Sequence, residues 1–335
     1  MKDIQQTAQR LYEIFQQVLD EQNKGRYAPE LWSSYGHVGT RAGALRRTLF
    51  VSDLCRLAKF DPQDKVIVDA GCGFGVIAII LHLLGAHKVW GCDISEERLT
   101  AFQRITADLR LEAHLEGHLL PVENIPLEDR SVDAVVSNEA ISHYRDVDAF
   151  LRQAARLLKP GGVLLIADGN NGANRSRRRF TQEIWERFEN GPAGEVHGHY
   201  LETPYREMRR QIIQATAPQL PEDIVTRIAE GTAYMDRNAV MEAVQHYLAT
   251  GTLPSSRFDR NRCPLNPISG AYMEMLFHPA ELARQIEDYG FRARHYAALG
   301  GALPVPFVGI NRLFRLLTPV TLPWARAFRV VAVRV

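Results

Sequence analysis

The sequence predicts an α/β fold: a doubly wound, mostly parallel seven-stranded sheet with N-terminal helices and a mainly helical insertion. Three observations carry this expectation. Strand-like apolar runs alternate with helical spacings between residues 65 and 167. The first run, Val66-Ile67-Val68-Asp69, turns through Gly71, Gly73 and Gly75 into an apolar helix. The 335 residues, 46% hydrophobic and 24% charged, suffice for one large α/β domain with insertions or for two domains.

Taken in order, residues 1–60 read as helices, with a Tyr/Trp/Gly-rich link from Tyr27 to Gly43. The strand at Val66 is followed by a helix from about Val76 to Leu84, stopped by Gly85. A second strand, Lys88 to Cys92, ends at Asp93. Ser95 then suits the cap of a helix whose first turn holds Glu96 and Glu97. Glu112 to Glu116 reads as a weak third strand and Val132 to Ser137 as a strong fourth. Helical spacing of Phe150, Leu151, Ala154, Ala155 and Leu158 predicts a helix over Asp146 to Leu158. Lys159-Pro160-Gly161-Gly162 stops it, and Val163 to Ala167 returns as a fifth strand. A helix from His278 to near Gly290 precedes two closing strands, Phe291 to Ala298 and Ala327 to Val335, separated by a Pro- and Leu-rich excursion over 299–326. The expected organisation is an N-terminal helical lid at 1–60, a core formed by 61–169 and 276–335, and a helical substrate-cap insertion at 170–275.

Composition narrows the function classes. Lys+Arg 40 against Asp+Glu 39 leave a formal charge of +1, so no global field recruits nucleic acid. Cys55, Cys72, Cys92 and Cys263 form no CxxC pair, which argues against a zinc knuckle or redox dithiol and suits a reducing compartment. The start lacks the apolar core of a signal peptide. The longest apolar run, Val76 to Leu84, is too short to span a bilayer. A soluble cytoplasmic protein without a transmembrane segment is expected.

The glycine turn decides between two cofactor classes. A dinucleotide fingerprint needs G-x-G-x-x-G, whereas Gly71, Gly73 and Gly75 give G-x-G-x-G with Val76 at the third fingerprint position. Asp69, ahead of the turn, would repel a pyrophosphate and suits a cofactor with a positive group there. Val66-Ile67-Val68-Asp69-Ala70-Gly71-Cys72-Gly73-Phe74-Gly75 resembles the first motif of class I S-adenosylmethionine-dependent methyltransferases, and Gly91-Cys92-Asp93-Ile94-Ser95 resembles their second. The stretch from Asp133 to Tyr144 is similar to the fourth strand and loop of the small-molecule (ubiquinone and natural-product) branch. Leu157-Leu158-Lys159-Pro160-Gly161-Gly162 resembles the turn before strand five.

The resemblance covers about residues 62–168 and recurs at 278–298 and 327–334, and it implies S-adenosylmethionine as cofactor and S-adenosylhomocysteine as product. It assigns Asp69 to the amino-acid end, and Gly71, Cys72, Gly73 and Gly75 to the close backbone approach. Asp93 takes the ribose hydroxyls, Ile94 the adenine face, and Asn138 with Glu139 the methionine end. Where the family usually carries an acid after strand three, this chain has His118, followed by Leu119; His118 or a neighbouring backbone group is the expected adenine contact.

In-line methyl transfer requires alignment, exclusion of water and, for a hydroxyl acceptor, a base. His143, in the loop after strand four, is the first candidate. His197 and His199 of the insertion are rivals, and no third ligand of matching spacing makes them a metal site. Tyr35, with Trp32 and His37, lies where relatives fold a helical lid. The expected acceptor is a small organic metabolite attacked at O, N or C. Alternatives are a cofactor-binding protein that does not methylate, such as a partner subunit, and an RNA methyltransferase. Ser137-Asn138-Glu139-Ala140 lacks the Pro-Pro-aromatic signature of amino-methylating base enzymes, and only Arg175 to Arg179 offers a phosphate patch. Residues 289–335 hold seven arginines and no acid or lysine. The 299–326 excursion therefore reads as a packed β-hairpin extension, as a clasp for an amphipathic acid or as a surface that touches a membrane. The sequence leaves the oligomeric state open, a homodimer being one option that such helical lids invite.

Overall fold

The computed structural model describes residues 3–23, 25–197, 199–300 and 308–335. Asp3 accepts the Gln5 N–H and caps α1 (Ile4–Val18), whose Leu11, Ile14, Phe15 and Val18 face inward. The expected link from Tyr27 to Gly43 is itself helical: α2 (Glu30–Tyr35) runs into a 3-10 turn, Gly36–Gly39, and α3 (Arg41–Leu57) begins two residues later. Glycine is required at position 43, because a Cβ there would lie 1.8 Å from the His37 carbonyl oxygen.

The alternating segment follows as β1 (Val66–Ala70), α4 (Val76–Leu83), β2 (Lys88–Asp93), α5 (Glu96–Asp108), β3 (Leu115–Leu119), β4 (Val132–Asn138), α6 (Val147–Leu157) and β5 (Leu158–Asp168). Ser95 and Asp146 cap α5 and α6 as their side chains imply. Two boundaries move. The third strand lies three residues beyond the expected stretch, because pairing with β2 sets its register, Val89 to Leu115 through Asp93 to Leu119. The fifth strand starts before the glycine pair. Leu158 already pairs with Val132, and Lys159 to Gly162 sit at a register shift before Val163 pairs with Ala134.

The chain continues through α7 (Arg175–Asn190), β6 (Gly194–Val196), β7 (His199–Leu201), α8 (Tyr205–Thr216), α9 (Glu222–Gly231), α10 (Arg237–Thr250), α11 (Pro279–Glu287) and β8 (Phe291–Ala298). Over its described residues the excursion is not a β-hairpin. Its described part forms α12 (Val308–Leu316), α13 (Thr318–Thr321) and a 3-10 turn, Leu322–Trp324, before β9 (Ala327–Arg334). Val305 and Phe307 of the excursion lie outside the described residues.

Two compact units result. The first comprises Met1–Ile141, Asp146–Ala173 and His278–Val335. Its seven-stranded sheet has the order β3-β2-β1-β4-β5-β9-β8, in which β9 pairs antiparallel with both neighbours and the other strands are parallel. Val163, Leu165 and Ala167 of β5 join the apolar cluster that holds Phe15, Phe50, Ile79 and Phe102; the alternating Leu164 and Ile166 are buried as well. From Val163 to Ala167 every position of the strand is buried, which is why this stretch reads as an unbroken apolar run. The second unit comprises Ser142–Arg145 and Asn174–Phe277. Its helices close over Ile212, Ile213, Val225, Ile228, Val240 and Val244, beside a buried ion pair of Arg209 with Glu189.

Candidate active site

The carboxyl edge of β1, β2 and β4 gathers the residues of the glycine turn and the acid after it. Gly71 and Cys72 donate their N–H groups to the Cys92 carbonyl at 2.9 and 3.0 Å, closing the turn on the end of β2. Gly71, Gly73 and Gly75 all have positive φ, at 72°, 51° and 73°. At Gly75 the constraint is double, since a Cβ would lie 2.0 Å from the Phe102 ring. The first-turn N–H groups of α4 are thereby aimed back at the turn.

Asp93 is held by two backbone donors. Gly73 N–H reaches Oδ2 at 2.8 Å and Ser95 N–H reaches Oδ1 at 2.8 Å. This fixes the carboxylate plane while leaving a lone pair on each oxygen, the arrangement a vicinal diol needs. Beside it stand two apolar side chains in solvent, Ile94 at 67% and Leu119 at 52% exposure. His118, their neighbour, stacks on Trp90 with ring centres 4.1 Å apart, its Nε2 3.4 Å from Glu116. Side chains alternate along β3, so His118 and Leu119 lie on opposite faces of the sheet.

Asp69 is 1% exposed, and its Oδ2 has no hydrogen-bond partner. Burial, and secondarily the Asp93 charge, push its carboxyl up to about 7, although an Ala78 N–H pulls the other way. Asn138, at the end of β4, likewise carries a buried Oδ1 without a partner. Glu139 follows in the left-handed region at φ 51°. Its N–H donates to the Ala167 carbonyl at 2.7 Å and its Oε2 accepts the Gly169 N–H at 3.0 Å. Open acceptors on Asp69 and Asn138 are costly in a folded chain, and a donor-bearing ligand relieves them.

Tyr35 meets the Phe74 ring edge-on at 5.9 Å, and the Arg47 guanidinium lies 5.7 Å from its ring. Burial pushes the Tyr35 hydroxyl up; Asp69 and Glu139 add to this and the Arg47 and Arg98 guanidiniums oppose it. His37, stacked on Tyr35, is held below its ordinary value by burial and by Arg47 and Arg46.

Within the second unit, exposed His143 lines a cavity of about 320 Å³ with Phe188, Tyr205, Asn266, Tyr272 and Glu274. Tyr205 is buried, which pushes its hydroxyl up to about 12. His197 stands on the β6–β7 hairpin with its ring 4.4 Å from Phe180. His199 opens β7, and its side chain lies outside the described residues. Sequence reasoning passed over Tyr205, Tyr272 and Asn266, which no spacing connects, and Arg47, whose place beside Tyr35 depends on the packing of α3.

Residues 68–166 match the family model described as a methyltransferase domain. The chain is 30% identical over 155 residues to dimethylglycine N-methyltransferase of Parasynechococcus marenigrum, covering 44% of this chain and 55% of that protein. It is 33% identical over 111 residues to ubiquinone biosynthesis O-methyltransferase of Neisseria meningitidis, covering 33% of this chain and 46% of that one. The chain thus spans about half the length of these curated relatives. An S-adenosylmethionine-dependent methyltransferase from Mesorhizobium loti aligns over 84% of this chain and 96% of its own, with a TM-score of 0.44 and 17% identity. Residues 68–166 thus carry a methyltransferase domain similar to those of S-adenosylmethionine-dependent enzymes.

Proposed function

We propose that this protein transfers the methyl group of S-adenosylmethionine to an O, N or C nucleophile of a small organic metabolite, natural-product or lipid-like, by in-line displacement. The observation that carries the reading is the pairing of a doubly anchored Asp93 with a buried, half-satisfied Asp69 across one glycine turn. The residues fit the cofactor. Asp93 would take the ribose diol, Ile94 and Leu119 the adenine faces, and Asp69 Oδ2 with Asn138 Oδ1 the ammonium end. The bound cofactor supplies an electrophilic methyl on a sulfonium. The chain's own residues orient the acceptor, exclude water and, for a hydroxyl acceptor, remove its proton.

His143 is the proposed base or orienting group, with the cavity of the second unit as the pocket that selects the acceptor; His197 and His199 are the rivals. The N-terminal helices, which bring Tyr35 to the glycine turn, are proposed as the lid. The names of the relatives, an N-methyltransferase and an O-methyltransferase of small molecules, support the acceptor class. The test is stoichiometric S-adenosylhomocysteine formation with an accepted substrate. Binding of the cofactor with no turnover on any acceptor of this class would favour a non-methylating role.

A further inference from the structure

The segment from Ile310 to Arg326 is inside-out. Its inward positions are largely polar and bonded to the body of the first unit. Asn311 is 6% exposed and its Oδ1 accepts the Leu299 N–H at 3.0 Å. Thr318 is 6% exposed and its Oγ1 accepts the Ala297 N–H at 3.1 Å. Arg315, 9% exposed, pairs with Asp53 of α3. Asn171 donates to the carbonyls of Leu322 and Ala325 at 2.9 and 2.8 Å. Leu322 and Ala325 pack with Ala297, so the segment is fixed to the sheet edge rather than laid loosely over it.

The outward positions are the reverse. Leu313, Leu316, Leu317, Val320 and Trp324 are 60%, 80%, 50%, 64% and 69% exposed. Every exposed residue from 310 to 326 is apolar, proline or arginine, and no acid occurs between residues 289 and 335. A helix normally hides its apolar stripe and exposes its polar one; here the hydrogen bonds of the polar stripe hold the opposite orientation.

We propose that this face is a docking surface for an anionic lipid bilayer. Leu313, Leu316, Leu317 and Val320 enter the acyl boundary, Trp324 sits at the headgroup level, and exposed Arg312 and Arg326 meet lipid phosphates. Charge selects this occupant. A second copy docked face to face would set arginine against arginine with no carboxylate in the segment to pair them, whereas anionic headgroups neutralise both. No described helix is long and apolar enough to cross a membrane, so the contact is peripheral. The inference is independent of the methyltransferase reading, and neither its success nor its failure bears on cofactor binding.

The full chain is mixed with vesicles of pure phosphatidylcholine and with equimolar phosphatidylcholine and phosphatidylglycerol, and co-sedimentation is measured. Binding to the anionic vesicles is expected, with a blue shift of Trp324 fluorescence that Trp324→Phe abolishes. Leu316→Asp with Leu317→Asp removes binding. Arg312→Glu with Arg326→Glu weakens it at least about tenfold and reduces its salt dependence. All five positions face solvent, so the variants retain the fold and the unfolding transition of the parent. Equal binding to both vesicle types, or none to either, overturns the proposal. So does a dimer in sedimentation velocity that Leu316→Asp dissociates, which would assign the face to a second copy.

Discussion

The backbone N–H of Gly73 donates to Asp93 Oδ2 at 2.8 Å, joining the glycine turn after β1 to the acid at the end of β2. The bond needs Gly73 at φ 51°, a conformation that turns its N–H toward the neighbouring strand. The two motifs are thus one site: the turn positions the carboxylate, and the carboxylate pins the turn.

Asp93→Ala removes the anchor of the turn together with the acceptor proposed for the ribose hydroxyls. Cofactor affinity measured by calorimetry is expected to fall at least about tenfold, the equivalent of one to two charge-assisted hydrogen bonds. Unchanged affinity would remove the proposed cofactor site.

With the ammonium contact proposed above, Asp69 should make cofactor binding pH-dependent. Its carboxyl titrates near 7 in the folded, ligand-free protein against an ordinary value of 3.8. The raised value contributes stability in full below 3.8, and that contribution is lost as pH rises through about 7. The ligand-free protein should therefore lose this share of stability across that window, and Asp69→Asn should flatten the profile. An ammonium at Oδ2 favours the ionised form, so affinity for S-adenosylhomocysteine should rise with pH, roughly tenfold per unit below 7. Calorimetry in buffers of different ionisation enthalpy reads the accompanying proton release; no proton release at pH 6 would refute the ammonium contact.

His143→Ala should abolish or severely lower turnover while leaving cofactor affinity within about twofold, since a missing general base costs some 10²–10⁴ in rate. Normal turnover would reduce His143 to a wall of its cavity.

Gly75→Ala should destabilise the protein by roughly 2–4 kcal/mol, combining a left-handed backbone with a methyl driven into the Phe102 ring. Gly161→Ala is the control: its φ is also positive at 80°, but nothing lies within 4 Å of the added carbon, so only the smaller backbone cost remains. Denaturant unfolding of the two variants separates strain from collision.

Asp53→Ala should cost roughly 3–5 kcal/mol, because it strands Arg315 at 9% and Arg329 at 2% exposure without their shared carboxylate. Burial raises the Asp53 carboxyl, but the hydrogen bonds and charges of the two arginines outweigh it and hold the group below its ordinary value. Its stabilising share is therefore present at neutral pH and disappears as the solution is acidified through the depressed value. Thermal unfolding of the parent and the variant between neutral and acidic pH measures the difference.

Local chemistry fixed much of this protein in advance. The strand at Val66, the glycine turn, the Ser95 cap and the apolar fifth strand are each dictated by residues within one turn of the chain, so they are legible without partners. What depends on pairing was not. The register of β3 against β2, the start of β5 at Leu158 and the insertion of β9 between β5 and β8 are set by hydrogen bonds to strands distant in sequence. The orphaned oxygen of Asp69, the stacking that commits His118 to Trp90, and the cavity around His143 likewise arise only when separate elements close on one another. The outward-facing leucines of α12 are the clearest case. Periodicity reveals that a helix has an apolar stripe, but which stripe faces inward is decided by where Asn311, Arg315 and Thr318 find their partners.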